Sequence, residues 1–146
     1  MLQLSKRRGG RGNKKTSSKL MIVVDTNYLV RLFTNQPKQQ TQTAIMDLAR
    51  CEPGQVILPD FVVSELFYVL QFHDKLTYSR HEIIEGLRLI LDHPAWKLDH
   101  ELHQAAIQIY EDTKLDYVDC LVRALYDLKR VQHVFTFDKA MKKNHK

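Results

Sequence analysis

Short, mostly apolar runs alternate with longer helical patterns along this chain, and that alternation constrains its fold more than any other feature. Leu20–Val24, Val56–Leu58, Ala95–Leu98 and Val134–Phe137 are predicted strands, each brief, apolar and bounded by polar or turn-forming residues. Between the first two, a short helix is expected over Tyr28–Phe33. A longer one runs from Pro37 to about Arg50, with Ala44, Ile45, Leu48 and Ala49 at helical spacing. Glu52-Pro53-Gly54 is a turn. Pro59-Asp60 opens the next helix, with Asp60 as its expected N-cap, and this helix continues to about His73. Tyr78–Leu91 is another helix, capped by Ser79 with Glu82 at capping-box spacing, and Asp92-His93-Pro94 ends it. Asp99 or His100 begins a helix to about Asp112, and Asp116 begins one reaching Arg130. Strands separated by helices or helical pairs need crossovers, so the fold class is α/β with a mostly parallel central sheet.

A chain of 146 residues is one domain by length and can bury a real core without disulfides. Its net charge of +5 is unevenly placed. Residues 1–19 hold seven of the 22 Lys and Arg and no acid, which leaves 15 bases against 17 acids in residues 20–146. The expected organisation is therefore a basic, disordered tail over 1–19 and one folded domain over 20–146. The tail can attract RNA weakly by charge, but the folded body has no basic excess of its own. The apolar stretch after the tail is too short for a secretory signal, and Met21 reads as an alternative start. No apolar run approaches the roughly 18 residues of a membrane span. Cys51 and Cys120 form neither a metal-ligand pair nor a disulfide framework, which fits a reducing cytoplasm. Cys120 is expected to pack as a small hydrophobe. Three of the five glycines lie in the tail, so a phosphate-cradling glycine loop is excluded.

Four acids stand out against this background. Asp25 ends the run Leu20-Met-Ile-Val-Val, Glu65 sits within Phe61–Leu70, Asp119 within Tyr117–Val122, and Asp138 follows Val134-Phe-Thr-Phe. Burying a carboxylate without a partner costs several kcal/mol. Ligands in parallel sheets gather at the carboxyl ends of strands, and Asp25 and Asp138 each follow one. Glu65 lies about one turn into the helix after the second strand, and Asp119 lies in the first turn of the helix before the fourth. All four can meet in one cleft. Two carboxylates about 5 Å apart repel by roughly 3 kcal/mol at an effective dielectric of about 20. A shared divalent cation relieves that repulsion, and an all-oxygen set selects Mg2+ or Mn2+ over zinc. Asp116, three residues before Asp119, shares its helix face and reads equally as an N-cap or as a fifth acid at the metal.

Each acid has a plainer reading. Asp25 and Asp138 can cap helices, Glu65 can reach solvent, and Asp119 has Arg123 at i+4 for an ion pair. It is their joint placement at convergent positions that favours a metal site.

The residues that carry this constellation resemble a PIN-domain ribonuclease, in particular the VapC-type toxins of toxin–antitoxin systems. Met21-Ile-Val-Val-Asp25-Thr-Asn27-Tyr-Leu-Val-Arg31 resembles the family's opening strand with its first acid, and Ser64-Glu65-Leu66 its second motif. Leu115-Asp116-Tyr-Val-Asp119-Cys-Leu121 is similar to the third, and Thr136-Phe137-Asp138-Lys139 to the fourth. The resemblance covers residues 21 to about 143. It implies a three-layer α/β/α sandwich and an endoribonuclease dependent on one or two Mg2+ or Mn2+ ions. It also implies a homodimer and a small antitoxin whose C-terminal segment blocks the acidic cleft. Asp25, Glu65, Asp119 and Asp138 are then the catalytic acids and hold the metal, with Asp116 assisting. Thr26, Asn27 and Thr136 orient ligands or the attacking water. Hydrolysis by a metal-activated water would leave a 5′-phosphate and a 3′-hydroxyl. Arg31, Lys139, Lys142 and Lys143 are candidate RNA backbone contacts. Cys120 stands where the family more often has alanine, and nothing in the family pattern explains the basic tail.

Two other classes compete. One is a PIN-like RNA- or protein-binding module without catalytic turnover. The other is an aspartyl phosphatase or phosphoacceptor domain, which needs a second acid two residues after the nucleophile, where this chain has Asn27. A DNA-directed flap-type nuclease is disfavoured by the chain's shortness.

Overall fold

The structure is a computed structural model that describes residues 20–142 except Asp74. The basic tail and Lys143 lie outside the described residues. The chain runs β1 (Ile22–Val23), α1 (Thr26–Thr34), α2 (Lys38–Arg50), β2 (Val56–Ile57), α3 (Asp60–Phe72), α4 (Arg80–Leu91), β3 (Trp96–Lys97), α5 (His100–Asp112), α6 (Tyr117–Asp127) and α7 (Lys139–Lys142). The strands form one parallel sheet in the order β1-β2-β3, with Ile22 opposite Val56 and Val56 opposite Trp96. A helical pair makes each crossover, as the alternation requires. The α/β fold class holds. No helix among the described residues is long and apolar enough to cross a membrane.

Local chemistry sets most boundaries. Asp25 is the N-cap of α1, its carboxylate accepting from the Tyr28 amide at 3.0 Å. Ser79 and Glu82 form the expected reciprocal capping box, although α4 starts at Arg80 rather than Tyr78. Asp99 caps α5 through the Leu102 amide, and Arg130 pairs with both Asp99 and Glu101.

Three expectations are corrected. Asp60 is not the N-cap of α3. Pro59 holds that position, and the Asp60 carboxylate is free to meet a distant side chain instead. Helix α6 stops at Asp127, short of Arg130. There Lys129 turns into the left-handed region (φ 58°), and the Lys129 and Arg130 amides bond back to Tyr126 and Leu125. That is a Schellman turn made without the usual glycine. The third correction is the expected fourth strand: residues 134–137 are irregular, and Phe135 and Phe137 are fully exposed. Strand preference is a preference for a half-buried pleated surface, and this segment lies on none.

Helix α3 is the spine of the core. Val62, Val63, Leu66, Phe67 and Leu70 are buried, and α3 packs against α1, α4 and α6. Cys120 is fully buried, as its apolar setting predicts. Close packing also explains the one glycine inside a helix among the described residues, Gly86 of α4. A Cβ there would lie 2.3 Å from Cε2 of Phe33 on α1. The Phe33 ring is held edge-on against Tyr78 at 4.9 Å, which limits its retreat. Gly86→Ala gains about 1 kcal/mol of helix propensity but overpacks at about 1–3 kcal/mol. Thermal melting should show net destabilisation, and a rise in melting temperature would contradict this packing.

Candidate active site

The first two acidic motifs meet through a hydroxyl. Asp25 stands two residues beyond β1, exposed, at the start of α1. Its neighbour Thr26, mostly buried, donates from Oγ1 to Oε2 of Glu65 at 2.6 Å. That short bond fixes one oxygen of an exposed carboxylate. Asn27 is exposed beside Arg31, along a cleft between α1 and α2. Arg31 is engaged by Gln40 at 2.6 Å, which competes with a role on RNA.

The third and fourth motifs meet through charge. Burial together with the neighbouring Asp138 and Asp116 carboxylates pushes the Asp119 carboxyl above its ordinary value. Arg123 does not relieve this. Its Nε stands 3.6 Å from Asp127, so the i+4 ion pair with Asp119 is not formed. Asp116 occupies the N-cap position of α6 but makes no side-chain capping hydrogen bond. Asp138 does act as a cap, since its Oδ1 accepts from the Ala140 amide at 2.8 Å at the start of α7. Thr136 Oγ1 accepts from the Asp138 amide at 3.0 Å and so sets the backbone of this acid rather than its carboxylate. Lys139 and Lys142 lie on the same short helix.

A network centred on a buried histidine, which the sequence reading does not single out, joins α3, α5 and α6. His103 of α5 is 1% exposed. Its Nδ1 lies 2.7 Å from the Tyr117 hydroxyl, and its Nε2 lies 2.7 Å from Oδ1 of Asp60. Tyr117 sits between Asp116 and Asp119 and stacks on Phe67 of α3 at 3.7 Å. The start of α3 and the start of α6, which carry Glu65 and Asp119, are thereby fastened together. One signal was present in the sequence: His103 shares the α5 core stripe with Ala106, Ile107 and Tyr110.

A family model for the PIN domain matches residues 22–146. The chain belongs to the PIN-domain family. No curated protein and no solved structure matches it. PIN domains are in general metal-dependent nucleases, and the PIN nucleases bind RNA.

Among the described residues of this PIN domain, no three His, Cys, Asp or Glu side chains stand close enough to enclose a metal ion. The acids are drawn up as two groups, one around Thr26 and Glu65 and one around Asp116, Asp119 and Asp138. Their chemistry fits a hard divalent cation. The donors are all oxygen, and Asp119 feels the charge of Asp138 and Asp116 while Arg123 pairs with Asp127.

Proposed function

We propose that this PIN domain is a Mg2+- or Mn2+-dependent endoribonuclease, acting as the homodimeric toxin of a toxin–antitoxin pair. The observation that carries this reading is the Thr26–Glu65 hydrogen bond, which joins the first acidic motif to the second across 39 positions of chain. The order of all four motifs and their likeness to VapC-type toxins support the toxin role and a small antitoxin partner. Cys51 and Cys120 are both free thiols, consistent with work in a reducing cytoplasm.

Asp25, Glu65, Asp119 and Asp138 hold one or two ions in this reading, with Asp116 joining directly or through water. A bound divalent cation supplies charge neutralisation at the phosphate and a water of lowered pKa. The chain's own residues supply placement. Thr26 fixes one Glu65 oxygen, Thr136 holds the Asp138 backbone, and Asn27 lies beside Asp25 to orient the attacking water. Lys139 and Lys142 offer phosphate contacts next to Asp138. Without a cation the acids repel RNA, so binding and cleavage should both require it.

Incubating the protein with total cellular RNA and Mn2+ or Mg2+ tests the reading. Discrete cuts, lost with chelator and lost in Asp25→Asn, are expected. The same fragments from wild type and variant would sink it. Induced expression of wild type but not Asp25→Asn should arrest growth if the protein is a toxin.

A further inference from the structure

A cation in the first turn of a helix sits at the positive end of the helix dipole, so nothing local favours arginine at the first position of α4. The partners of Arg80 lie far along the chain. Its guanidinium carbon stands 3.4 Å from the centroid of the buried Tyr110 ring of α5. Its Nη2 donates to three main-chain carbonyls, those of Tyr110 at 2.7 Å, Leu115 at 3.0 Å and Thr113 at 3.2 Å. The first belongs to the last turn of α5, where carbonyls have no partner within the helix. The other two lie in the linker from α5 to α6.

That linker delivers the third acidic motif. Leu115 directly precedes Asp116, whose carbonyl accepts from the Cys120 amide at 3.1 Å as α6 begins. Asp119 lies in the first turn of the same helix. Thr113 braces the linker from within, its Oγ1 donating to the Ile109 carbonyl at 2.7 Å and accepting from the Leu115 amide at 3.2 Å. Arg80 braces it from another element. With Tyr117 held by His103, the start of α6 is fastened on both sides of Asp116. Helix ends fray, whereas a functional site needs its ligands held within about 0.5 Å of their places. The planar guanidinium suits this task, because its stack on Tyr110 fixes the direction in which it donates.

We propose that Arg80 is a positioning residue for the metal site. By gripping the Tyr110, Thr113 and Leu115 carbonyls it sets where Asp116 and Asp119 stand, without bonding to either carboxylate. This rests on the metal-dependent reading above and adds to it a residue of α4, a helix that supplies none of the site's acids.

Titration with Mn2+, followed by the electron paramagnetic resonance of the free ion, tests it at a temperature where circular dichroism shows the proteins folded. Binding that is lost in Asp119→Asn identifies the site. Arg80→Met keeps an apolar stem and removes every donor. It should weaken Mn2+ binding by about tenfold, the lower end of the loss when a group supporting a metal ligand is removed. Arg80→Lys keeps the charge but not the planar fork, and should fall between Arg80→Met and wild type. The Mn2+ concentration for half-maximal RNA cleavage should rise in the same order, and excess Mn2+ should restore the rate. Gly86→Ala, which is destabilised on the same helix, should bind Mn2+ like wild type. Arg80→Met with a lowered melting temperature but wild-type Mn2+ affinity would overturn the proposal, as would an equal loss of affinity in Gly86→Ala. If Arg80→Met does not fold, Arg80→Lys decides, and wild-type affinity there overturns the proposal. The two readings fail separately. Weakened Mn2+ binding in a protein that cuts no RNA refutes the nuclease alone, whereas cleavage with the same Mn2+ dependence in wild type and Arg80→Met refutes the positioning role alone.

Discussion

Asp25→Asn is expected to reduce metal-dependent RNA cleavage by at least about a hundredfold while leaving the melting temperature unchanged. Loss of a residue that merely supports a metal ligand already costs about 10–100-fold, so loss of a charged ligand should cost no less. The stability half of the expectation comes from capping. Asp25 caps α1 by accepting from the Tyr28 amide, and asparagine is as good an N-cap as aspartate. Its amide oxygen can take the same hydrogen bond, and the exposed position leaves room for it. The substitution therefore removes charge and little else. Asp25→Ala is the useful contrast, because it removes the cap as well and should lower stability by about 1 kcal/mol. Initial cleavage rates in Mn2+, set beside thermal melts of the three proteins, separate the two effects. An active Asp25→Asn protein would remove Asp25 from the metal site.

His103→Ala is expected to be among the most damaging single substitutions, costing about 3 kcal/mol and roughly 10 °C of melting temperature. The buried ring has a hydrogen-bond partner at each nitrogen, and the Nε2–H tautomer satisfies both. Tyr117 donates its hydroxyl to Nδ1, and Nε2–H donates to the Asp60 carboxylate. Burial pushes the Tyr117 hydroxyl well above the ordinary tyrosine range, so it stays protonated and remains a donor. Alanine leaves that hydroxyl buried without an acceptor, at about 1–3 kcal/mol, and adds a cavity. Tyr117→Phe is milder, at about 1 kcal/mol, because the ring can keep its stack on Phe67. Urea denaturation of both variants checks the order. Equal losses would place the energy in the Tyr117 hydroxyl alone. Since Tyr117 lies between Asp116 and Asp119, both variants should also cleave more slowly at temperatures where they remain folded.

Much of this architecture was legible from local chemistry. Three short runs, each followed by a helix, sufficed for a parallel sheet, though not for the order β1-β2-β3 that the structure shows. Ser79 with Glu82, and Asp25 and Asp99 ahead of their helices, announced caps that the structure contains. These signals act within one turn of chain, where the partner is a near neighbour and no tertiary context is needed. The end of α6 was not legible, because Lys129 adopts a left-handed conformation that its residue type does not advertise. The segment 134–137 was misread for a related reason. Val-Phe-Thr-Phe has strand composition, but a strand also needs a neighbour, and none is paired with it.

By itself, then, the sequence determined the fold class, the order of elements and the succession of Asp25, Glu65, Asp119 and Asp138. The fold class and element order follow from periodicity and capping, whereas the burial cost that singled out the acids does not fall on Asp25, Glu65 or Asp138, which are exposed. Only the tertiary structure decided which side chains meet. Thr26 reaches Glu65 across 39 positions, and His103 reaches Asp60 across 43. It also decided that Asp119 is partly buried and feels the charge of Asp138 and Asp116 while Arg123 turns to Asp127. Contacts of that range depend on how α1, α5 and α6 pack around α3, and packing is a property of the whole core rather than of any window of sequence.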